Sequence, residues 1–455
     1  MPDLPLKQAL LSLPEEAPEA SVSARFVPEL LKVLGFTQDE QSPEFPTGAG
    51  AQLVDFAARK NLGEEIFFRA PKNPFLIAEV KGRDINLATG AYISTVNQLK
   101  RYLGSSAINC QTAKWGIITN ANYIQLFRKH GKVIYPVTQL IHLTPDNVDQ
   151  KAQYLKQIID HPAQALTVTT YNNKGGVGKT TTVLNLAAYL GIYHNVLVID
   201  FDPNQQDLTQ ILRLDLAQAQ YTLYECLEDY RNKSIENAII PYRITNKRSQ
   251  EIGFDIIPAD ETFIEKSEDQ SSSKLAQGRL RQVLKKLNNT YDYILIDAPP
   301  GWENYSLETV IAADVLLLPT KHNNLASLLN AQQVIIDFLE QVGNKHRQTF
   351  EQSSDLANPT ALPIFYNGEK ITDSQKRQAA EKLAQLIRET RRNKGIDLKP
   401  YFFPKTTKGH RNWEVYEIPY HANIAKAAFY GIPAVYKYKI AFNYYKSFAK
   451  EYFLS

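Results

Sequence analysis

The stretch from Leu166 to Leu190 constrains this chain more than any other. Leu166-Thr-Val-Thr-Thr-Tyr171 reads as a strand and Lys174-Gly-Gly-Val-Gly-Lys179-Thr180-Thr181 as a glycine loop. Thr182-Val-Leu-Asn-Leu-Ala-Ala-Tyr-Leu190 then reads as a helix. Strand, loop and helix in that order form the context a phosphate-binding loop requires. Gly175, Gly176 and Gly178 let consecutive N–H groups, with that of Val177, converge on phosphate oxygens at a helix N-terminus. Lys179 can reach the β- and γ-phosphates of a nucleoside triphosphate, the Thr180 hydroxyl can ligate Mg²⁺, and Thr181 completes the cradle. The template G-x-x-x-x-G-K-[ST] is filled except at its first glycine, where Asn173 stands. A second lysine, Lys174, follows it.

Apolar strands ending in acids come next. Asn195-Val-Leu-Val-Ile-Asp200-Phe-Asp202-Pro203 places two carboxylates on one side of a strand end. Tyr291-Asp-Tyr-Ile-Leu-Ile-Asp297 has the apolar-run-then-acid form that holds Mg²⁺ through water. Ala312–Pro319, Phe254–Ala259 and Leu362–Asn367 read as further strands. Open parallel sheets bind ligands at the carboxyl ends of their strands, so these acids are expected to face the phosphates. The loop with its extra lysine, followed by these strands in this order, resembles the ParA/MinD family of partitioning and positioning ATPases.

That resemblance implies an α/β domain with a mostly parallel sheet, ATP and Mg²⁺ as cofactors, and an ATP-dependent homodimer in which Lys174 crosses to the partner's nucleotide. It implies Asp202 as the group that positions the attacking water and Asp297 as the Walker B acid. Asp200 lies beside the metal, and Asn367 reads the adenine. It also implies DNA and a ParB-like stimulating protein as partners. The acidic motif departs from D-x-D-P-Q by inserting Asn204 before Gln205.

A second constellation lies in the amino-terminal part. Asp55 sits in the strand Gln52-Leu-Val-Asp-Phe-Ala, while Glu79 and Lys81 interrupt the apolar strand Phe75–Gly82 and share one face. Charges on such a strand are costly unless paired or metal-bound. Asp55 and Glu79 can hold Mg²⁺, with Lys81 steadying a developing phosphorane. Gln98 and Tyr102 are four apart on a helix. Together these residues resemble the PD-(D/E)xK nucleases, closest to the amino-terminal nuclease domain of type I restriction enzymes. The resemblance implies that Gln98 and Tyr102 lie near DNA and that Glu29, on the helix Val27–Leu34, is a further acid. The proline of the family name is absent before Asp55.

At 455 residues the chain exceeds one ordinary core. The expected layout is a smaller nuclease-like α/β domain over 1–145, a linker over 146–165 that includes a short helical connector, Asp146 to Pro162, and the P-loop domain over 166–455. The polar stretches Glu265–Ser273 and 343–361 read as loops or insertions. Only Cys110 and Cys226 occur, which fits a reducing cytoplasm and leaves no cysteine zinc site; eight scattered histidines supply none either. No apolar run approaches a membrane span and no signal peptide pattern opens the chain, so no membrane partner is expected.

Residues 381–455 hold 14 Lys/Arg against 6 Asp/Glu, with Tyr436, Tyr438, Tyr444, Tyr445 and Tyr452 among the lysines. This pattern suits either a nucleic-acid surface or an amphipathic helix with its tyrosines in the core. Two functions from different classes follow. One is a DNA-acting enzyme in defence or restriction, where ATP-driven dimerisation pairs two metal-dependent nuclease domains. The other is a partition ATPase for plasmid, chromosome or cargo that binds DNA non-specifically and carries a non-cleaving amino-terminal domain. A metabolic P-loop enzyme, such as a cofactor amidase, is a third.

Overall fold

A computed structural model describes residues 6–245, 249–263, 277–301, 304–349, 355–403 and 414–455. The chain forms two compact units, Met1–Pro162 with Ser353–Ala357 and Ser455, and Ala163–Gln352 with Asn358–Leu454.

The first unit opens with helices α1 (Leu6–Leu11), α2 (Glu19–Arg25) and α3 (Val27–Val33). Strands β1 (Gln41–Pro46), β2 (Leu53–Ala58) and β3 (Leu76–Val80) form an antiparallel meander. Helix α4 (Ala91–Leu103) then crosses over, so that β4 (Trp115–Thr119) lies parallel to β3. Strands β5 (Tyr123–His130), β6 (Val133–Pro136) and β7 (Ile141–His142) complete a seven-stranded sheet.

The period-two pattern of β3 sends Leu76, Ala78 and Val80 into the core beneath α1–α3, and Ile77 into the opposite core with Leu99 and Leu103 of α4. Helix α5 (Val148–Asp160) falls in the stretch expected to be a linker. Its residues Val148, Ala152, Leu155 and Ile159 recur at helical spacing and pack into the first core, which makes this helix part of the unit. Residues 355–357 belong to the same unit, where Lys151 pairs with Asp355 and Leu356 bridges to Thr138.

The second unit contains β8 (Leu166–Thr170), α6 (Lys179–Leu190), β9 (Val196–Asp200), α7 (Asp207–Leu212) and α8 (Leu223–Glu228). Next come β10 (Ile240–Thr245), β11 (Glu251–Ile257), α9 (Arg279–Leu284), β12 (Tyr293–Asp297) and α10 (Asn304–Ala312). The main sheet has the order β10-β11-β9-β12-β8-β13-β15, where β13 is Val315–Leu317 and β15 is Thr360–Ala361. Every pairing is parallel except β10 with β11. A smaller parallel sheet joins β14 (Pro319–Thr320), β16 (Phe365–Asn367) and β17 (Tyr416–Ile418).

The expected strand Ala312–Pro319 is therefore divided between two sheets, and the expected strand Leu362–Asn367 is reduced to β16, with β15 lying before it in the other sheet. Pro363, which has no N–H to donate, stands between β15 and β16. The stretch 343–361 is not all loop either. Helix α11 (Leu325–Gln333) continues through a π-helical turn, Val334–Phe338, into α12 (Leu339–Thr349). Glu265–Ser273 lies outside the described residues.

The carboxyl-terminal part contains α13 (Asp373–Lys394), α14 (Lys399–Phe402), α15 (Ala422–Ala427), α16 (Ala434–Lys437) and α17 (Lys439–Tyr452). On α17, Tyr445, Phe448 and Tyr452 are buried while Lys439, Lys446 and Lys450 are exposed. The amphipathic reading therefore accounts for Tyr445 and Tyr452, with the lysines on the exposed face. The Tyr445 hydroxyl donates to the Thr181 carbonyl at 3.3 Å, which braces α17 against α6.

Candidate functional site

Parallel registry brings the strand ends of the second unit together. Asp297 lies opposite both Thr170 and Asp200, so the ends of β8, β9 and β12 meet where the glycine loop begins. Gly176 and Gly178 have φ of 72° and 88°, left-handed values that favour glycine. Asn173 has no positive φ, so the template's missing glycine is not required at that position. Gly178 caps α6, and Lys179 opens it.

Lys179 is buried and donates from Nζ to the Asn172 carbonyl at 3.2 Å. Burial pulls its ammonium below the usual range, against the charges of Asp297, Asp202 and Asp207. Lys174 is exposed, and its side chain has no hydrogen bond or ion pair among the described residues.

The three acids behave differently. Asp297 is buried, hydrogen-bonded to Thr180, and its Oδ1 has no partner. Burial first, then Asp200, holds its carboxyl well above the usual range. Asp200 accepts from the Thr209 N–H at 2.9 Å and hydroxyl at 2.8 Å, so its Oδ2 is engaged in anchoring α7. Burial pushes its carboxyl up to about 6, with the Thr209 bonds opposing. Asp202 Oδ1 accepts from the N–H groups of Asn204 and Gln205, both at 3.1 Å. The inserted Asn204 is thus absorbed in a turn around Asp202, and Gln206 takes the strained φ of 50°.

Asn367 ends β16 and comes up against the loop. Its Nδ2 lies 3.2 Å from the Val177 carbonyl, 3.0 Å from that of Gly178 and 3.0 Å from the Thr182 hydroxyl. A cleft of about 200 Å³ opens there, bordered by Gly176, Gly178, Lys321, Asn367 and Tyr420. Asn172, unremarked in the sequence, is fully buried and organises the loop. Its Nδ2 donates to the carbonyls of Pro319 (3.0 Å) and Ser327 (3.1 Å), and its Oδ1 accepts from the Lys174 N–H (2.9 Å). The two carbonyl bonds are long-range, and no local pattern announces them.

In the first unit Asp55, Glu79 and Lys81 do meet. Lys81 Nζ lies 2.5 Å from Glu79 Oε1, and Asp55 Oδ2 accepts from the Val80 N–H at 2.6 Å. The β2–β3 ladder stops at Phe56–Ala78, and the Asp55 side chain takes the place of the next rung. Glu79 is fully buried and its Oε2 has no partner. Burial, then the charge of Asp55, pushes its carboxyl up to about 7. Burial also raises Asp55. The Lys81 ammonium is lowered by burial, but Glu79, Glu19 and Asp55 carry it above its usual range. Gln98 Nε2 donates to the Tyr102 hydroxyl at 3.0 Å, and Tyr102 feels the charges of Glu79 and Asp55.

Glu29 has a partner on its own helix. Its side chain pairs with Lys32 at 2.9 Å, one turn along its own helix, and Glu19 approaches Lys81 at 3.5 Å instead. A Cβ on Gly82 would lie 2.9 Å from the Glu19 N and 3.1 Å from the Ala17 carbonyl oxygen, so the missing side chain lets the start of α2 settle against the end of β3. No acidic spacing in the sequence could have selected Glu19 over Glu29. Among the described residues, no group of three or more His, Cys, Asp or Glu is arranged to hold a metal ion. The unpartnered oxygens of Asp297 and Glu79 are carboxylate acceptors of the kind a hard cation takes.

Residues 165–352 match the family model described as AAA domain. The chain is 32% identical over 179 residues to Maintenance of carboxysome distribution protein A of Gloeothece citriformis, covering 39% of this chain and 65% of that protein. It is 36% identical over 157 residues to a ParA family protein of Chlamydia trachomatis, covering 33% of this chain and 57% of that one. Within the second unit the chain is thus similar to ParA-type ATPases. A solved structure of a Cyanothece McdA variant in complex with ATP aligns with a TM-score of 0.46 at 21% identity, covering 64% of this chain and 96% of that one. The chain spans between half and two thirds of the length of the curated relatives it matches first. No matched stretch establishes a nuclease in the first unit. Among the described residues, no helix is long and apolar enough to cross a membrane.

Proposed function

We propose that this chain is an ATP-dependent dimerising ATPase of the partition and positioning kind. In this reading it retains DNA non-specifically, and its amino-terminal unit recognises DNA or a partner without cutting. One observation carries the reading: a left-handed glycine cradle at the start of α6 buries one lysine, Lys179, and leaves the side chain of the other, Lys174, exposed with no partner among the described residues.

Val177, Thr181 and the loop N–H groups hold the phosphates of ATP, with Lys179 on the β- and γ-oxygens. Mg²⁺ fits the Thr180 hydroxyl and the unpartnered Asp297 Oδ1. Asp200 supports this site through α7, which is less direct than the metal contact the sequence suggested. Asp202 orients the attacking water, Asn367 borders the base cleft, and Lys174 reaches the nucleotide of a second copy. The name of the carboxysome-distribution relative supports a positioning role, and the exposed lysines of α17 support contact with DNA phosphates. A ParB-like protein is the stimulating partner in this scheme.

The test is ATP-dependent retention on DNA of unrelated sequences. Retention is expected with ATP and lost in Lys179→Ala; ATP-independent retention of both proteins overturns the reading.

A second reading keeps a metal-dependent phosphodiesterase in the first unit. The specific observation is that Asp55, Glu79 and Lys81 assemble, with Glu79 Oε2 buried and free. Mg²⁺ fits Glu79 Oε2 together with Asp55, and Lys81 is placed to steady charge on a phosphate. DNA nicking that disappears in both Asp55→Ala and Lys81→Ala supports it, and nicking unchanged in both removes it.

A further inference from the structure

We propose that the cleft beside the Asp55–Glu79–Lys81 cluster is a nucleobase pocket that selects a base carrying an exocyclic amine, as cytosine and adenine do and thymine does not. The proposal rests on the second reading above, which supplies the phosphodiester next to the pocket.

The cleft measures about 640 Å³ and reaches from α2 and α3 across β1 to Asp55 and Phe56. That size lies within the usual range for small-molecule sites, about 300–1,000 Å³. Its walls suit a flat ring. Ala20, Ala24 and Pro28 form a shallow apolar face, and Phe68 borders the cleft with 57% of its surface in water. A large aromatic side chain exposed beside a cleft is a stacking platform that any base can use.

Selectivity comes from the polar groups. Gln38, Ser23, Glu19 and Glu44 join Asp55 in the lining. Neither Gln38 nor Glu44 has a side-chain hydrogen bond or ion pair among the described residues, so both are available to a ligand. Ionised carboxylates only accept, so they need N–H groups opposite them. The amino groups of cytosine and adenine provide these, and a carboxylate accepting from cytosine N4 is a known pairing. Thymine presents carbonyl oxygens along most of that edge, which the carboxylates repel.

Glu44 is held for this purpose at a local cost. It lies in the middle of β1 with φ of 47°, opposite Asp55, flanked by the pairs Pro43–Phe56 and Phe45–Val54. Behind Asp55, the unpartnered Oε2 of the fully buried Glu79 offers the cation contact that would hold the adjoining phosphate. A base in the cleft and a phosphate at the cluster are the two halves of one nucleotide, from a strand or free in solution.

The experiment measures fluorescence anisotropy of labelled oligo(dC), oligo(dA) and oligo(dT) with the full chain, using Ca²⁺ in place of Mg²⁺. Oligo(dC) and oligo(dA) are expected to bind roughly tenfold more tightly than oligo(dT). Glu44→Gln is expected to remove that preference while leaving oligo(dT) binding unchanged, and Phe68→Ala is expected to weaken all three oligonucleotides severalfold. Competition by dCMP assigns the pocket to free nucleotides, and competition by strands alone assigns it to nucleic acid. Equal affinities in the wild type, a preference that survives in Glu44→Gln, or binding of all three strands unchanged in Phe68→Ala overturns the proposal. Ca²⁺-dependent binding lost in Asp55→Ala without any base preference keeps the metal cluster and removes only the pocket.

Discussion

Replacing Glu79 by glutamine is expected to stabilise the first unit in alkaline solution relative to acid. The carboxyl is pushed from 4.5 to about 7, first by burial and then by Asp55. A carboxyl with a raised pKa binds its proton more tightly in the folded chain. Its contribution to stability is therefore complete below the unfolded value of 4.5 and is lost as pH rises through about 7. Between pH 5 and pH 8 that loss amounts to about 2.5 kcal/mol.

Glutamine imitates the protonated acid at every pH, so the variant escapes the loss. Any pH-independent effect of weakening the 2.5 Å contact with Lys81 cancels when the two pH values are compared. Urea unfolding in the presence of a chelator gives the gap directly. With Trp302→Phe and Trp413→Phe in the background, the buried Trp115 reports the first unit alone. The gap between variant and wild type should move by about 2.5 kcal/mol in favour of the variant from pH 5 to pH 8. A gap that stays constant, or moves the other way, refutes the reasoning that Glu79 is held as a strained acid.

Three further outcomes test other parts of the account. Gly178→Ala puts a Cβ 2.1 Å from Asn367 Nδ2 at a φ of 88°, so stability should fall by about 1–3 kcal/mol and nucleotide retention should vanish, read by thermal melting and equilibrium dialysis. Asn172→Ala removes three hydrogen bonds beneath the loop and should cost about 3 kcal/mol by urea titration, with weaker nucleotide binding at unchanged secondary structure. Lys439→Glu with Lys446→Glu changes two exposed side chains, so the melting temperature should hold while DNA retention drops and its salt dependence becomes shallower by roughly two counterions.

Much of the second unit was legible because its chemistry is local. The glycine loop, the Asp297 strand and α6 are contiguous motifs, and parallel registry brings them together without further information. The first unit was legible at Asp55, Glu79, Lys81, Gln98 and Tyr102, because charged residues inside apolar strands and an i, i+4 pair survive as patterns. What escaped depends on tertiary approach. Asn172 acts through carbonyls 147 and 155 residues away, and Glu19 reaches Lys81 only because Gly82 lets α2 close on the strand. The stretch expected as a helical connector does form a helix, and what its own pattern does not specify is that its four apolar positions pack into the first core. The basic carboxyl-terminal segment left two readings open, since burial, which composition does not encode, decides which face its tyrosines take.

The most direct measurement is the mass of the full chain by sedimentation, with and without a Mg²⁺-bound, non-hydrolysable ATP analogue. A lysine held outside its own phosphate cradle has work only when a second cradle is opposite. Nucleotide should convert the 51.6 kDa chain to a dimer, and Lys174→Ala should bind the analogue yet sediment as a monomer. A wild-type chain that stays monomeric with nucleotide bound, or a Lys174→Ala chain that dimerises equally well, contradicts the account.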